Sequence, residues 1–471
     1  MRAARLTRQA AAAALAGVLA GCALQNPPTT ADLQQQALPH TAVPPAFRAP
    51  GGAAAPVADL WLASFGDPAL SALVDEALAH NADLQGAATR VEQAGGYLKV
   101  ASASLLPSLS AFGTGSGANS NASSGLNGIW LNASLELDIW GRIRYGQAAA
   151  QAQSEAALAS YGYARQSLAA TVAKGWFLAI EAGLQRAIVQ EMLTSAEAML
   201  RLAQDRLRVG NGTELDVAAA HANLGSYRDS LQKVEQAREQ AVRALELLLG
   251  RYPAAELAVA PRLPVMPAAV PVGLPSELLE RRPDVIAAER QVAAAFNQIG
   301  AAKAAQLPRI SLTAGLNSIS SDVIVLKDRD NPAWGVGANL IAPLYQGGAL
   351  RAQVEIRSAE QKQAVAAYAS AGQRAFGEVE NALAAENWLR EREAILEATV
   401  RDNERALELT KIQYRVGSTD QRAVEQRQLA LYSTRMTLLG VQAERRAQRV
   451  NLYLALGGSF VEPAAGPVAA R

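Results

Sequence analysis

Polar and apolar positions alternate along several short stretches of the chain. Ile129, Leu131, Ala133, Leu135, Leu137 and Ile139 alternate with Trp130, Asn132, Ser134, Glu136, Asp138 and Trp140. Ile310, Leu312, Ala314 and Leu316 alternate with Ser311, Thr313 and Asn317, and Trp334, Val336, Ala338, Leu340 and Ala342 with Gly335, Gly337 and Asn339. A weaker stretch runs from Ser108 to Thr114. A period of two is the mark of a strand with two unlike faces. The Gly/Ser/Asn-rich residues from Gly113 to Gly128, and those from Ser318 to Pro332, then form the loops of two hairpins. Such strands fit a soluble sandwich or a membrane barrel with lipid outside and water inside. A length of about ten residues suits a tilted bilayer crossing. Trp130, Trp140, Trp334 and Tyr345 lie near strand ends, where an interfacial aromatic girdle would sit.

Elsewhere the period becomes helical. Val217, Ala220, Leu224, Tyr227, Leu231, Val234, Ala241, Leu245 and Leu248 follow alternating steps of three and four, interrupted only at Arg238. Val424, Leu431, Leu438, Val441, Leu452 and Ala455 keep the same seam in part, with Arg445 at the interruption. A sustained 3.5-residue period predicts coiled-coil packing with a left-handed supercoil. No proline occurs between Ile143 and Arg208. A helix over that stretch spans roughly 100 Å at 1.5 Å per residue. It belongs to a rod, a bundle or the wall of a tube, not to a compact globule.

These elements occur twice. Leu106-Pro107-Ser108-Leu109-Ser110 matches Leu307-Pro308-Arg309-Ile310-Ser311, 201 residues on, and Asn81-Ala82-Asp83 matches Arg282-Pro283-Asp284 at the same offset. Gly141, Arg208-Val209-Gly210 and Leu249-Gly250 meet Gly348, Arg415-Val416-Gly417 and Leu456-Gly457, all 207 residues on. Internal duplication governs any fold argument. Each copy reads as a helix of about 35 residues, a strand hairpin, a very long helix, a tight turn and a second helix of about 35 residues. The boundaries are residues 60–257 for the first copy and 258–458 for the second, with a tail at 459–471.

Composition narrows the partners. Charge is balanced, with 44 Lys+Arg against 43 Asp+Glu, and no basic stripe points to nucleic acid. One cysteine and three histidines exclude a disulfide framework within one chain and leave little for a metal site. No cofactor or metal is expected, and no phosphate-cradling loop or Ser/His/Asp arrangement supports an enzyme. The N-terminus carries Arg2, Arg5 and Arg8 ahead of an apolar run from Ala10 to Ala20. That is a signal peptide, residues 1–21, too short to span a bilayer itself. It ends Leu19-Ala20-Gly21-Cys22, which resembles a bacterial lipobox and makes Cys22 the lipidation site. The alternative is an ordinary signal peptide with an incidental cysteine. Ala23, rather than Asp, resembles the sorting signal for the outer membrane. Residues 22–59, rich in Pro and Ala, read as an extended linker from lipid to body. With no apolar run of transmembrane length, any crossing falls to the strands.

Four strands cannot close a barrel, so several chains must combine; three would give twelve strands around a water-filled pore. At this point a resemblance becomes specific. The segment Trp61-Leu62-Ala63-Ser64-Phe65-Gly66-Asp67-Pro68-Ala69-Leu70, the stretch Leu137-Asp138-Ile139-Trp140-Gly141-Arg142, Gly210 with Glu214-Leu215-Asp216-Val217, and Leu278-Leu279-Glu280-Arg281-Arg282-Pro283-Asp284-Val285 resemble the outer-membrane efflux protein family, the TolC-like and lipidated OprM-like channels. Val450-Asn451-Leu452-Tyr453-Leu454-Ala455-Leu456-Gly457-Gly458 closes the resemblance, which covers Trp61 to Gly458. It implies a mainly α fold with a small β-barrel: a homotrimer forming a twelve-strand outer-membrane barrel and a long periplasmic α-helical tunnel. It further implies a passive duct of a tripartite pump, working with a periplasmic adaptor and a proton-driven or ATP-driven inner-membrane pump. The cargo could be drugs or solvents, metal ions or secreted protein. A rival of another class is a lipidated coiled-coil stalk, which leaves the two hairpins unexplained.

The resemblance also assigns sites. The turns Val209-Gly210-Asn211-Gly212-Thr213 and Val416-Gly417-Ser418-Thr419-Asp420 become periplasmic tips that dock the adaptor. Glycine suits the left-handed turn after a helix, and Thr213 and Asp420 suit caps of the helices that follow. The gate is expected at the same end, with Glu214, Asp216, Asp420, Arg422 and Glu425 as its candidates. The family's Leu-x-x-Leu-Asp-Ala pattern after the second tip is replaced here by Gln421-Arg422-Ala423-Val424-Glu425-Gln426. Glu136 and Asp138 are expected to face the lumen and make it acidic and cation-preferring.

Overall fold

The computed structural model describes residues 24–50, 59–114, 127–320 and 333–460. The signal peptide, Cys22, both hairpin loops and the tail beyond residue 460 lie outside these residues. The described residues are mainly helical with one small antiparallel sheet. It divides into two compact units. Of the described residues, one unit comprises Ala88–Ser160 and Asp284–Ala371 with those up to Thr41; the other comprises Ala42–Ala87, Tyr161–Pro283 and those from Gly372 on.

The elements are α1 (Thr30–Ala37), α2 (Pro68–His80), α3 (Ala82–Ala103), β1 (Ser108–Thr114), β2 (Asn127–Leu137), α4 (Arg142–Arg208) and α5 (Glu214–Leu248), then α6 (Pro275–Arg281), α7 (Pro283–Ala304), β3 (Arg309–Ser320), β4 (Ala333–Ile341), α8 (Ala349–Arg415) and α9 (Gln421–Ala455). Helices α4 and α8 have 67 residues each, α5 and α9 have 35 each, and α3 and α7 have 22 each.

Two expectations need correction. The helix of about 35 residues that opens each half is broken in two. Asn81 interrupts the first with extended backbone, its Oδ1 accepting the Leu84 N–H to start α3. Arg282 interrupts the second, because Pro283 drives the residue before it out of the helical region. Both side chains then serve the same purpose. Asn81 donates to the Leu248 carbonyl and Arg282 to the Ala455 carbonyl, 3.1 Å in each case, at the last residues of the two 35-residue helices. Those carbonyls have no helical partner of their own. The second correction concerns the linker, which is not wholly extended. A Thr29–Asp32 capping box starts α1, and Leu33 is buried on it.

In the second unit the predicted seams are buried in part, the other apolar seam positions being half-buried. Ala220, Leu224, Ala241 and Leu245 of α5 and Val424, Leu431, Val441 and Leu452 of α9 are core residues. Each fully buried Leu contributes about 1.5–3 kcal/mol relative to exposure. Ile188, Val189 and Met192 of α4 cluster with Tyr432 and Leu439 of α9, flanked by Tyr227, Leu231 and Val234 of α5. Alanines 169, 170, 173 and 179 are fully buried on α4, where a small side chain lets helices approach closely. The interruption at Arg445 is an ion pair to Glu393 at 2.6 Å.

In the first unit the strands form a simple meander, β1-β2-β3-β4, every neighbour antiparallel. Leu109, Ala133, Ala314 and Val336 stand side by side across it, as do Ala111, Leu131, Leu316 and Trp334. Paired residues project from the same face, so the alternation in the sequence becomes one apolar face. Among the described residues nothing covers that face: Leu109 is 74% exposed and Val336 77%. The sheet is tied at its base by Trp140, whose indole N–H donates to the Pro308 carbonyl at 2.7 Å. The Tyr145 ring lies flat on Gly300, where an added Cβ would fall 2.6 Å from it.

Candidate functional site

Two features stand out as candidates: the two helix turns of the second unit and the sheet of the first. At the first turn the Asn211 N–H donates to the Arg206 carbonyl and the Gly210 N–H to that of Leu207. The second turn repeats this with Ser418 to Gln413 and Gly417 to Tyr414. These are Schellman ends, and they require the positive φ of +74° at Gly210 and +77° at Gly417. Thr213 caps α5 through a box in which its hydroxyl takes the Asp216 N–H and donates to the Asp216 carboxylate at 2.7 Å. Asp420 caps α9 by accepting the Ala423 N–H at 2.9 Å. Val209 and Val416 stand out at the turns, 66% and 74% exposed, beside exposed Gly210, Asn211, Thr213, Gly417, Ser418 and Asp420.

Of the gate candidates, the structure draws only Glu425 into a network between helices. Its Oε2 accepts from Asn223 of α5 at 2.7 Å and its Oε1 from Gln421 at 2.8 Å. Gln421 is buried and takes a 3.5 Å contact from the hydroxyl of Tyr414, itself buried on α8. The Arg206 guanidinium of α4 lies 4.4 Å over the Tyr414 ring. The chain Arg206–Tyr414–Gln421–Glu425–Asn223 therefore touches all four helices. Asp216 is engaged in its own cap, while Glu214 and Arg422 are exposed. Sequence reasoning missed Arg206, Tyr414, Gln421 and Asn223. The available signal was divergence between the halves, since Tyr414 stands where the first half has Leu207, and Gln421 where it has Glu214. Beside this network, burial and then the Glu425 carboxylate push the Tyr227 hydroxyl up.

At the sheet both acidic residues are paired. Glu136 is held by Arg142 through two hydrogen bonds, 3.0 and 2.8 Å. Asp138 lies just past the end of β2, where it accepts the Ile143 and Arg144 N–H groups and pairs with the Arg144 side chain. Asp138 thus caps the start of α4, where its negative charge meets the positive end of the helix dipole, while Glu136 pairs with the side chain of Arg142 in the first turn. Each has an arginine partner.

Comparison with known proteins places this geometry. A family model described as outer membrane efflux protein matches residues 73–251 and 274–458. The chain is 30% identical over 407 residues to the cation efflux system protein CusC of Escherichia coli, covering 85% of this chain and 88% of that one. It is 31% identical over 420 residues to the toluene efflux pump outer membrane protein TtgC of Pseudomonas putida, covering 85% of each. Among solved structures, the outer-membrane channel OprN superposes with a TM-score of 0.80 at 28% identity, over 90% of this chain and 99% of that one.

Proposed function

Given that the chain belongs to the outer membrane efflux protein family and resides in the outer membrane, we propose that it is the passive exit duct of a tripartite pump, built as a homotrimer that exports small molecules such as drugs and solvents. The observation that carries this reading is the open sheet. Among the described residues its apolar face is uncovered and its two outer strands, β1 and β4, each lack a partner on one side. In hydrocarbon, unpaired backbone groups cost several kcal/mol each. A copy of β1 beside β4 continues the antiparallel order, because the number of strands per chain is even. Two chains give eight strands, a barrel filled by its own side chains, whereas three give twelve and leave room for water.

The remaining assignments follow from that reading. The two halves are a duplicated unit, bounded at residues 60–257 and 258–458. Cys22 carries the lipid anchor. The turns at Val209–Thr213 and Val416–Asp420 dock a periplasmic adaptor, which links the duct to an inner-membrane pump. The network centred on Glu425 holds the second turn in its resting position and belongs to the gate. Relatives named for cation efflux and for toluene efflux are about equally similar. Metal-ion export by the same duct is therefore the second reading. The paired state of Glu136 and Asp138 favours a pore without marked charge preference at that level.

Light scattering of the mature protein in mild detergent tests the assembly. A protein mass near three chains is expected. A monomer leaves the sheet unable to close and removes the duct reading. Disulfides engineered between neighbouring chains at the turns should block export; undiminished export would remove the gate from this end.

A further inference from the structure

We infer the register in which β4 of one copy pairs with β1 of the next, and with it the residues that seal the seam between chains. The inference rests on the trimeric reading above and goes beyond it by fixing which residues meet. The two halves are offset by 201 residues at the strand that opens each hairpin, as at Pro107 and Pro308, and by 207 at the strand that closes it, as at Gly141 and Gly348. These offsets can be tested on pairings the structure contains. They carry the β1–β2 pair Ser108 with Ser134 onto Arg309 with Ile341, and Phe112 with Trp130 onto Thr313 with Gly337. Both products are observed β3–β4 pairs, so the offsets hold in register and not merely in sequence.

The same offsets carry the β2–β3 junction onto the one junction that a single chain cannot make. Ser134 with Thr313 becomes Ile341 with Phe112 of the next copy, and Leu135 with Leu312 becomes Ala342 with Ala111. Ala133 with Ala314 becomes Leu340 with Gly113, and Leu137 with Ile310 becomes Leu344 with Leu109. Two independent features agree with this register. First, the faces match: Leu340 lies on the apolar face of β4, Ala342 and Leu344 follow at the same alternate positions just past its end, and Leu109, Ala111 and Gly113 lie on the apolar face of β1. A slip of one residue would turn every one of these side chains to the wrong side. Second, Phe112, Trp130 and Ile341 are large apolar residues at positions of the polar face. Phe112 already stands across from Trp130 within the chain. The register sets Ile341 on its other side, so the three form one continuous apolar row. Slips of two residues preserve the faces but separate Ile341 from Phe112. The junction also accounts for Leu344, which is 94% exposed in the single chain, by facing it with Leu109.

The test is disulfide trapping in isolated outer membranes of cells expressing the full chain. The registered double variants are Ile341→Cys with Phe112→Cys and Ala342→Cys with Ala111→Cys. Adjacent pairs alternate between hydrogen-bonded and non-hydrogen-bonded sites, and the closer approach at the latter favours one of the two. The slipped controls are Ile341→Cys with Ser110→Cys and Ile341→Cys with Thr114→Cys. Single-cysteine variants, each retaining Cys22, supply the background. After mild oxidation, a reducible ladder ending at the trimer is expected from at least one registered pair, at several-fold the yield of either slipped pair. A higher yield from a slipped pair overturns the register and leaves the trimer standing. No ladder from any pair in an assembly of trimeric mass overturns β4–β1 pairing as the seam. A monomeric mass overturns the reading on which the inference rests.

Discussion

The two halves of the chain share a backbone plan and differ in the polar side chains hung on it. Helices of 67, 35 and 22 residues recur, and so do the glycines at both turns and the capped starts of α5 and α9. Yet the first turn is wired to itself, through Thr213 and Asp216, while the second is wired to other helices through Tyr414, Gln421 and Glu425. The contrast recurs at Glu246 and its counterpart Tyr453, 207 residues on. Tyr453 stacks on Trp61 at 5.8 Å. Glu246 is buried and accepts the N–H groups of Ala255, Glu256 and Leu257 at 2.7–3.0 Å. Backbone geometry repeats because it depends on local residue types, whereas polar wiring diverges because each pair of partners can be exchanged separately.

The largest expected effect is at Tyr414. Tyr414→Ala opens a void in the cluster with Leu407, Val424 and Leu431, and should cost about 3–5 kcal/mol. Leu207→Ala, at the equivalent exposed position, should cost less than about 1 kcal/mol. Hydrogen exchange of the amides on either side of each turn reads both. Equal loss of protection would erase the asymmetry between the halves.

Glu425→Ala strands the amides of Asn223 and Gln421, a cost of about 1–3 kcal/mol. If this network belongs to the gate, resting single-channel conductance rises; an unchanged resting conductance separates Glu425 from gating. Next come the caps. Thr213→Ala and Asp420→Ala should each cost about 1 kcal/mol, alike in both halves, since this part of the plan is shared.

A fall in stability on acidification is expected around Glu246 in the first half. Burial raises the Glu246 carboxyl, but its three backbone N–H donors and Arg251 outweigh burial and hold it below the usual carboxylate range. A depressed folded pKa contributes stability that is present above the ordinary carboxylate pKa and is lost as pH falls through the folded value. Exchange protection around residues 246–257 should therefore fall on acidification below the carboxylate range, and Glu246→Gln should weaken that dependence, the remainder coming from Glu76, whose carboxyl the hydrogen bond from Arg251 also holds low. The smallest effect is at the sheet. Arg142→Ala frees the Glu136 carboxylate and should move the reversal potential modestly toward cations; no shift would place Glu136 away from the ion path.

Much of the fold was legible before any coordinates. Period-two alternation marked the strands, the seam on α5 and α9 marked the packed faces, and the glycines at Gly210 and Gly417 marked the turns. Each signal comes from residues within a few positions of one another, and the chain's stereochemistry converts them directly into structure. The break at Asn81 was not legible, because it depends on a carbonyl at Leu248, far along the chain. Nor were the partners of Glu136 and Asp138 legible: periodicity placed both carboxylates on a polar face but did not show that the first turn of α4 would neutralise them. The Glu425 network joins residues about 200 positions apart. The sequence by itself determined the elements, their repetition and the two faces of each strand. Only the tertiary structure decided which polar groups meet, because that depends on how helices lie against one another, and no local period records it.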